Sequence, residues 1–121
     1  MSTLKAEHVQ LQFPKQSLPV LQDVNLSIES GTLNVILGES GCGKTTLLNI
    51  LAGFQKVDTG QVKIDDEVLN GPDARRAVVF QDHALLPWLN VEQNVGFALE
   101  LKGLRESEIE QQVTSILNIV G

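Results

Sequence analysis

The sequence predicts an α/β fold in which an N-terminal antiparallel β subdomain leads into an incomplete parallel core sheet with helices. Three observations carry this expectation: two alternating apolar and polar runs near the start, two short runs that are apolar on both faces, and a glycine-rich loop between one of these runs and an amphipathic segment.

The elements follow in order. Val9, Leu11 and Phe13 fall on one face of the first run and His8, Gln10 and Gln12 on the other, the period of a half-buried strand. Pro14 and Pro19 punctuate the loop that follows. Val24, Leu26 and Ile28 against Asn25, Ser27 and Glu29 repeat the alternation, and Ser30 and Gly31 close it as a turn, so the two runs are expected to pair antiparallel. Residues 33–37, interrupted only by Asn34, read as a central parallel strand covered on both faces. From Lys44 the pattern becomes helical, with Leu47, Leu48, Ile50 and Leu51 on one stripe and Gly53 placed as the stop. Val62 and Ile64, a turn at Asp65 and Asp66, then Val68 and Leu69 predict a small hairpin. Residues 77–80 read as a second buried strand. After a loop holding Pro87 and Trp88, a helix is expected from about Val91 to Leu101, stopping at Gly103, and a last amphipathic segment carries Ile109, Val113, Ile116, Leu117 and Val120 on one stripe.

The composition, 42% hydrophobic and 20% charged, is that of an ordinary globular chain, and the net charge of −6 argues against nucleic acid as a partner. One cysteine, Cys42, cannot form an internal disulfide or a metal-ligand cluster and fits a reducing compartment. No apolar run approaches the roughly 20 residues that span a bilayer, and the start lacks the basic and apolar regions of a signal peptide. A cytoplasmic protein is expected, held at a membrane, if at all, by a partner.

The stretch Gly38-Glu39-Ser40-Gly41-Cys42-Gly43-Lys44-Thr45 fits the phosphate-binding P-loop pattern, in the strand-to-helix context that the pattern requires. Gly38 permits a sharp exit from the strand. Gly41 and Gly43 leave the backbone bare, so successive N–H groups can approach phosphate oxygens. The helix N-terminus adds about half a positive charge and Lys44 a full one. Lys44 would reach the β and γ phosphates of ATP and Thr45 would ligate Mg2+, while Thr46 reads as a helix-start residue within reach of the α phosphate. Cys42 beside Lys44 reads as a small filler more readily than as a reactive thiol.

Two stretches, residues 37–54 (LGESGCGKTTLLNILAGF) and 79–94 (VFQDHALLPWLNVEQN), resemble ABC transporter ATPases. The resemblance implies that Gln81 is the Q-loop glutamine, which binds the metal or attacking water and reports nucleotide state to the membrane subunit. It also implies that Phe13 stacks on adenine, where the family more often has tyrosine. Gly71-Pro72, Arg76 ahead of Val78-Val79-Phe80-Gln81, and Leu85-Leu86-Pro87-Trp88 resemble the taurine, sulfonate and nitrate importer branch in particular. Residues 1–121 then read as the N-terminal part of one ATP-binding domain, with the P-loop at 38–45 and the Q-loop around 81. The family's signature loop, Asp-Glu strand and histidine switch are not in these residues. The implied function is the ATP-hydrolysing subunit of an importer for taurine or a related sulfonate, with a permease, a second ATP-binding subunit and, indirectly, a solute-binding protein as partners. Alone, these residues are expected to be inactive.

Two other readings remain open on sequence. In one, Asp82 ends a strand as the metal ligand of a small kinase-like P-loop enzyme; in the other, the chain is a nucleotide-binding module without catalysis. Trp88 reads as a hydrophobic plug beneath its loop or as part of a permease-facing groove. His8 and His83 read as solvated, Asp65, Asp66 and Glu67 as a polar hairpin tip, and Arg75 and Arg76 as phosphate grips or structural ion-pair partners.

Overall fold

The computed structural model describes residues 2–121 as two compact units, the first ending at Val78 and the second beginning at Val79. In the first, β1 (Leu4–Leu11), β2 (Leu21–Ile28), β3 (Thr59–Ile64) and β4 (Glu67–Val68) form an antiparallel sheet in the order β2-β1-β3-β4. Both expected hairpin pairings are present, and β1 occupies a central position, paired on both edges. The partnership of β1 with β3 joins residues more than fifty positions apart, such as Ala6 and Val62.

A bulge sets the phase of β1. Ala6 pairs with Leu26 and Val9 with Val24, so β1 carries one extra residue, and His8 takes a left-handed φ of 50°. Ala6 and Val9 are consequently both buried although they stand three apart. The side chain of Asn25 accepts from the His8 N–H at 2.9 Å, and the His8 Nδ1 lies 2.8 Å from Asp23 Oδ1. Gly60 of β3 crosses here with φ 86°. A Cβ on it would lie 2.3 Å from the His8 carbonyl oxygen, so a side chain cannot be accommodated without moving the backbone.

Helix α1 (Lys44–Ala52) buries Leu47, Ile50 and Leu51 in one core with Ala6, Val9, Leu11, Leu21 and Val62, while Leu48 is half exposed. It ends as expected at Gly53, whose φ of 88° and N–H bonds to Asn49 and Ile50 carbonyls complete a left-handed cap. Residues 70–72 pass directly over this cap; a Cβ on Gly53 would lie 2.3 Å from the Gly71 oxygen.

Two expectations are corrected. Residues 33–37 and 77–80 are not strands: neither enters the sheet, and Leu33, Leu37 and Val79 are almost fully exposed. A central parallel strand is stabilised by ladder partners on its edges and layers on its faces, and no element among the described residues covers residues 33–37. The antiparallel subdomain and the helices are formed, as the predicted fold class requires; the parallel core is not.

The second unit contains α2 (Val91–Leu101) and α3 (Glu106–Val120). Asn90 and Gln93 form a capping box at the start of α2, and Gly103, at φ 75°, follows its end. The helices meet at Gly96, where a Cβ would lie 2.9 Å from Ile109 Cγ2 and 3.2 Å from Val113 Cγ2. Along the expected α3 stripe, Val113 is buried and Ile109 and Leu117 are half-buried, but Ile116 and Val120 are exposed. Trp88 is also exposed and is not a plug: a turn closes from Leu89 N–H to Leu86 O at 3.1 Å, and the Asn94 carboxamide pins it through Leu86 and Leu89. No described helix is long and apolar enough to cross a membrane.

Candidate functional site

The loop of residues 38–43 delivers the chain into α1. Gly41 and Gly43 are both left-handed, at φ 80° and 99°, and Gly43 is the helix N-cap. It has no side chain to bond the first amides, and the first turn carries no acidic residue. The first helical bond runs from Leu47 N–H to Gly43 O at 2.9 Å. The N–H groups of Lys44, Thr45 and Thr46 therefore have no carbonyl partner within the helix and form a ready anion seat. Nothing lies within 4 Å of where a Cβ would stand on Gly41, whereas one on Gly43 would press on Val20 and Leu21 at 3.1 Å. Gly41 thus leaves room in front of the loop, and Gly43 lets the loop pack onto the start of β2.

Lys44 folds back over the loop. Its Nζ donates to the carbonyls of Gly38 at 2.7 Å and Glu39 at 2.6 Å, and lies 3.7 Å from Cys42 Sγ. The ammonium is thereby held at the mouth of the loop, where its charge adds to that of the amides. A Cβ on Gly38 would stand 2.6 Å from the same sulfur, so Cys42 fills the space that Gly38 leaves.

A cavity of about 320 Å³ is lined by Phe13, Gln16 and Val20 together with Ser40, Gly41, Gly43, Lys44, Thr45 and Thr46. The structure therefore brings Phe13, named from sequence as the base-stacking ring, to the loop some thirty residues further on. Gln16 and Val20 were not singled out from sequence, because a loop flanked by two prolines carries no period that reveals which residues face inward. Gln81 belongs to the second unit, where it is exposed in an irregular segment with Asp82 and His83. Among the described residues no group of three or more His, Cys, Asp or Glu could hold a metal ion. A hard cation here would take the Thr45 hydroxyl together with phosphate and water oxygens, a donor set suited to Mg2+.

The arginines behave differently from one another. Arg75 pairs with Asp73 at 2.7 Å and Glu67 at 2.8 Å, holding the Asp73 carboxyl well below the usual carboxylate range through its side-chain hydrogen bonds. Arg76 instead donates to the main-chain carbonyls of Leu51 and Gly71. Neither reaches the loop cavity.

Comparison with known proteins agrees with this geometry. The ABC transporter family profile matches residues 21–121. A taurine import ATP-binding protein, TauB, of Pseudomonas aeruginosa is 49% identical over 123 residues, covering all of this chain and 47% of its own length. That of Chromobacterium violaceum is 51% identical over 108 residues, covering 89% of this chain and 41% of its own. The chain thus spans about half the length of the curated relatives it matches. Among solved structures, the ATP-binding cassette MJ0796, a dimer in a post-hydrolysis state bound to ADP and Pi, matches with a TM-score of 0.79 at 30% identity, over 95% of this chain and 56% of that one. A family match over most of the residues, joined to a glycine loop that opens onto a helix N-terminus and shares a cavity with Phe13, establishes that this chain belongs to the ABC transporter family.

Proposed function

We propose that this chain is the N-terminal part of the ATP-binding subunit of an ABC importer, and that the whole protein couples ATP hydrolysis to uptake of taurine or a related sulfonate. The observation that carries the nucleotide reading is the single cavity that joins Phe13 to the Gly41–Thr46 amides. Its lining combines the Phe13 ring with loop residues that carry bare N–H groups and with Lys44, a mixture that suits the base and the phosphates of a nucleoside triphosphate. The resemblance of the TauB relatives supports the solute class.

Catalysis in this scheme is positional and electrostatic. The loop amides and the α1 N-terminus hold the phosphate chain, and Lys44 leaves the Gly38 and Glu39 carbonyls to meet the β and γ oxygens. Glu39, Ser40 and Cys42 shape the loop through their backbone. Thr45 would hold Mg2+, which supplies neutralisation of the phosphate charge when bound. Gln81 would orient the attacking water, touch the metal and report nucleotide state to a permease. A second ATP-binding subunit completes the site across a dimer, a solute-binding protein supplies solute from the far side, and the protein lies on the cytoplasmic face of the membrane through the permease. The remainder of the domain, beyond residue 121, carries the catalytic acid in this reading.

Titration calorimetry of the full protein with ATP, with and without magnesium, tests the proposal. Magnesium-dependent binding at one site per chain is expected, and a flat thermogram in both conditions overturns the nucleotide reading.

A further inference from the structure

We infer that Gln16 reads the ribose hydroxyls of the bound nucleotide. The inference rests on the nucleotide-binding reading above and adds to it the residue that discriminates the sugar. Apart from the loop and α1, the cavity wall consists of Phe13, Gln16 and Val20. Phe13 and Val20 are apolar. Gln16 alone brings a side chain that both donates and accepts hydrogen bonds.

A nucleotide carries its base at one end, its phosphates at the other and two adjacent hydroxyls between them. With the phosphates on the amides of residues 41–46 and the base on the Phe13 ring, the hydroxyls are the polar groups that still need partners. On the protein side, the backbone of Gln16 is already committed. Its N–H donates to the Phe13 carbonyl at 3.0 Å, closing a turn, and its carbonyl accepts from Gln12 Nε2 at 2.8 Å. The turn fixes Gln16 relative to the aromatic ring, and the carboxamide is the group left to serve a ligand. Gln16 also borders an adjoining cavity of about 560 Å³ that includes Lys15, Gly41 and Cys42. Gln16, Val20 and Gly41 are common to both cavities, so Gln16 shares one cavity with the ring and both with the loop residue Gly41, within the space that a nucleotide spanning ring and loop would occupy.

The test compares Mg-ATP with the magnesium complex of dideoxy-ATP, which lacks both hydroxyls, by calorimetric titration of the full wild-type protein and of its Gln16→Ala variant. Wild type is expected to bind ATP roughly three- to tenfold more tightly than dideoxy-ATP, the worth of about one hydrogen bond. In Gln16→Ala the preference is expected to fall to near one, while affinity for dideoxy-ATP is unchanged, which also reports that the variant is folded. Equal preference in the two proteins overturns the inference, as does absence of preference in wild type. Failure of wild type to bind either nucleotide is a different result, which sinks the nucleotide-binding reading and the inference with it.

Discussion

Arg76 donates to the main-chain carbonyl of Leu51, so its guanidinium closes the C-terminal end of the helix whose N-terminal end carries Lys44. The last carbonyls of a helix have no partner within it. Here the Asn49 and Ile50 carbonyls are met by main-chain N–H groups from the Gly53 turn, and the Leu51 carbonyl by Arg76. The positive charge also opposes the negative end of the helix dipole, and a second bond to Gly71 straps the crossing segment to the helix. The position of α1 is thus secured at the end remote from the proposed chemistry.

Replacing Arg76 by Ala strands two partly buried carbonyls. A loss of about 1–3 kcal/mol of stability is expected, with Arg76→Lys recovering part of it. Urea denaturation of the three proteins checks this, and an Ala variant as stable as wild type would show that the strap contributes nothing.

Lys44→Ala in the full protein is expected to lower ATP turnover by a factor of about 100 or more, since it removes a full positive charge held against the loop carbonyls. The fold should persist, because the hydrogen bonds of the Lys44 side chain go to the loop itself, to the Gly38 and Glu39 carbonyls and the Cys42 sulfur. Wild-type phosphate release by a folded variant is the outcome that removes Lys44 from the mechanism.

Gln81→Ala should spare nucleotide binding while reducing the hydrolysis stimulated by a permease. Measuring binding and stimulated turnover separately distinguishes the two effects. An unchanged stimulated rate counts against the Q-loop role.

Gly96→Val places methyl groups where Ile109 and Val113 already stand. Overpacking of this kind costs about 1–3 kcal/mol. Amide hydrogen exchange should show faster exchange through α2 and α3 and unchanged protection in the β1–β3 sheet. Equal protection of α2 and α3 in variant and wild type would mean that the two helices do not depend on this contact.

The Asp73 carboxyl is held below its ordinary range by the Arg75 side-chain and backbone hydrogen bonds. A depressed folded pKa means that the unfolded chain takes up the proton first as pH falls. The contribution to stability is therefore fully present well above the unfolded value of about 3.9 and is lost progressively below it. Wild type should lose more stability than Asp73→Asn between pH 6 and pH 3 in parallel urea titrations, and equal losses would remove Asp73 from the pH dependence.

Much of this molecule was legible from local pattern. The glycine stop at Gly53, the hairpin turn at Asp65 and Asp66, the Gly103 stop of α2, and the loop ahead of Lys44 all depend on backbone preferences of a few adjacent residues. Such preferences are present in the chain before it folds. Residues 33–37 misled for the converse reason. An apolar run states that cover is needed but not that any element will supply it, and these residues are exposed. The same limit applied to Trp88, where the Asn94 carboxamide, an ordinary helix residue in sequence, fixes the turn that leaves the ring outside.

The sequence by itself determined where α1 and α2 begin and end, which segments form hairpins, and that a bare loop with a lysine stands before α1, because these follow from glycine geometry and periodicity within short windows. Only the tertiary structure decided that β1 lies between β2 and β3, that His8 bulges against Gly60, that Arg76 closes α1, and that Phe13 and Gln16 share a cavity with the loop. Those outcomes join residues far apart in the chain, and their free energy comes from burial and hydrogen bonds that exist only once distant segments have met.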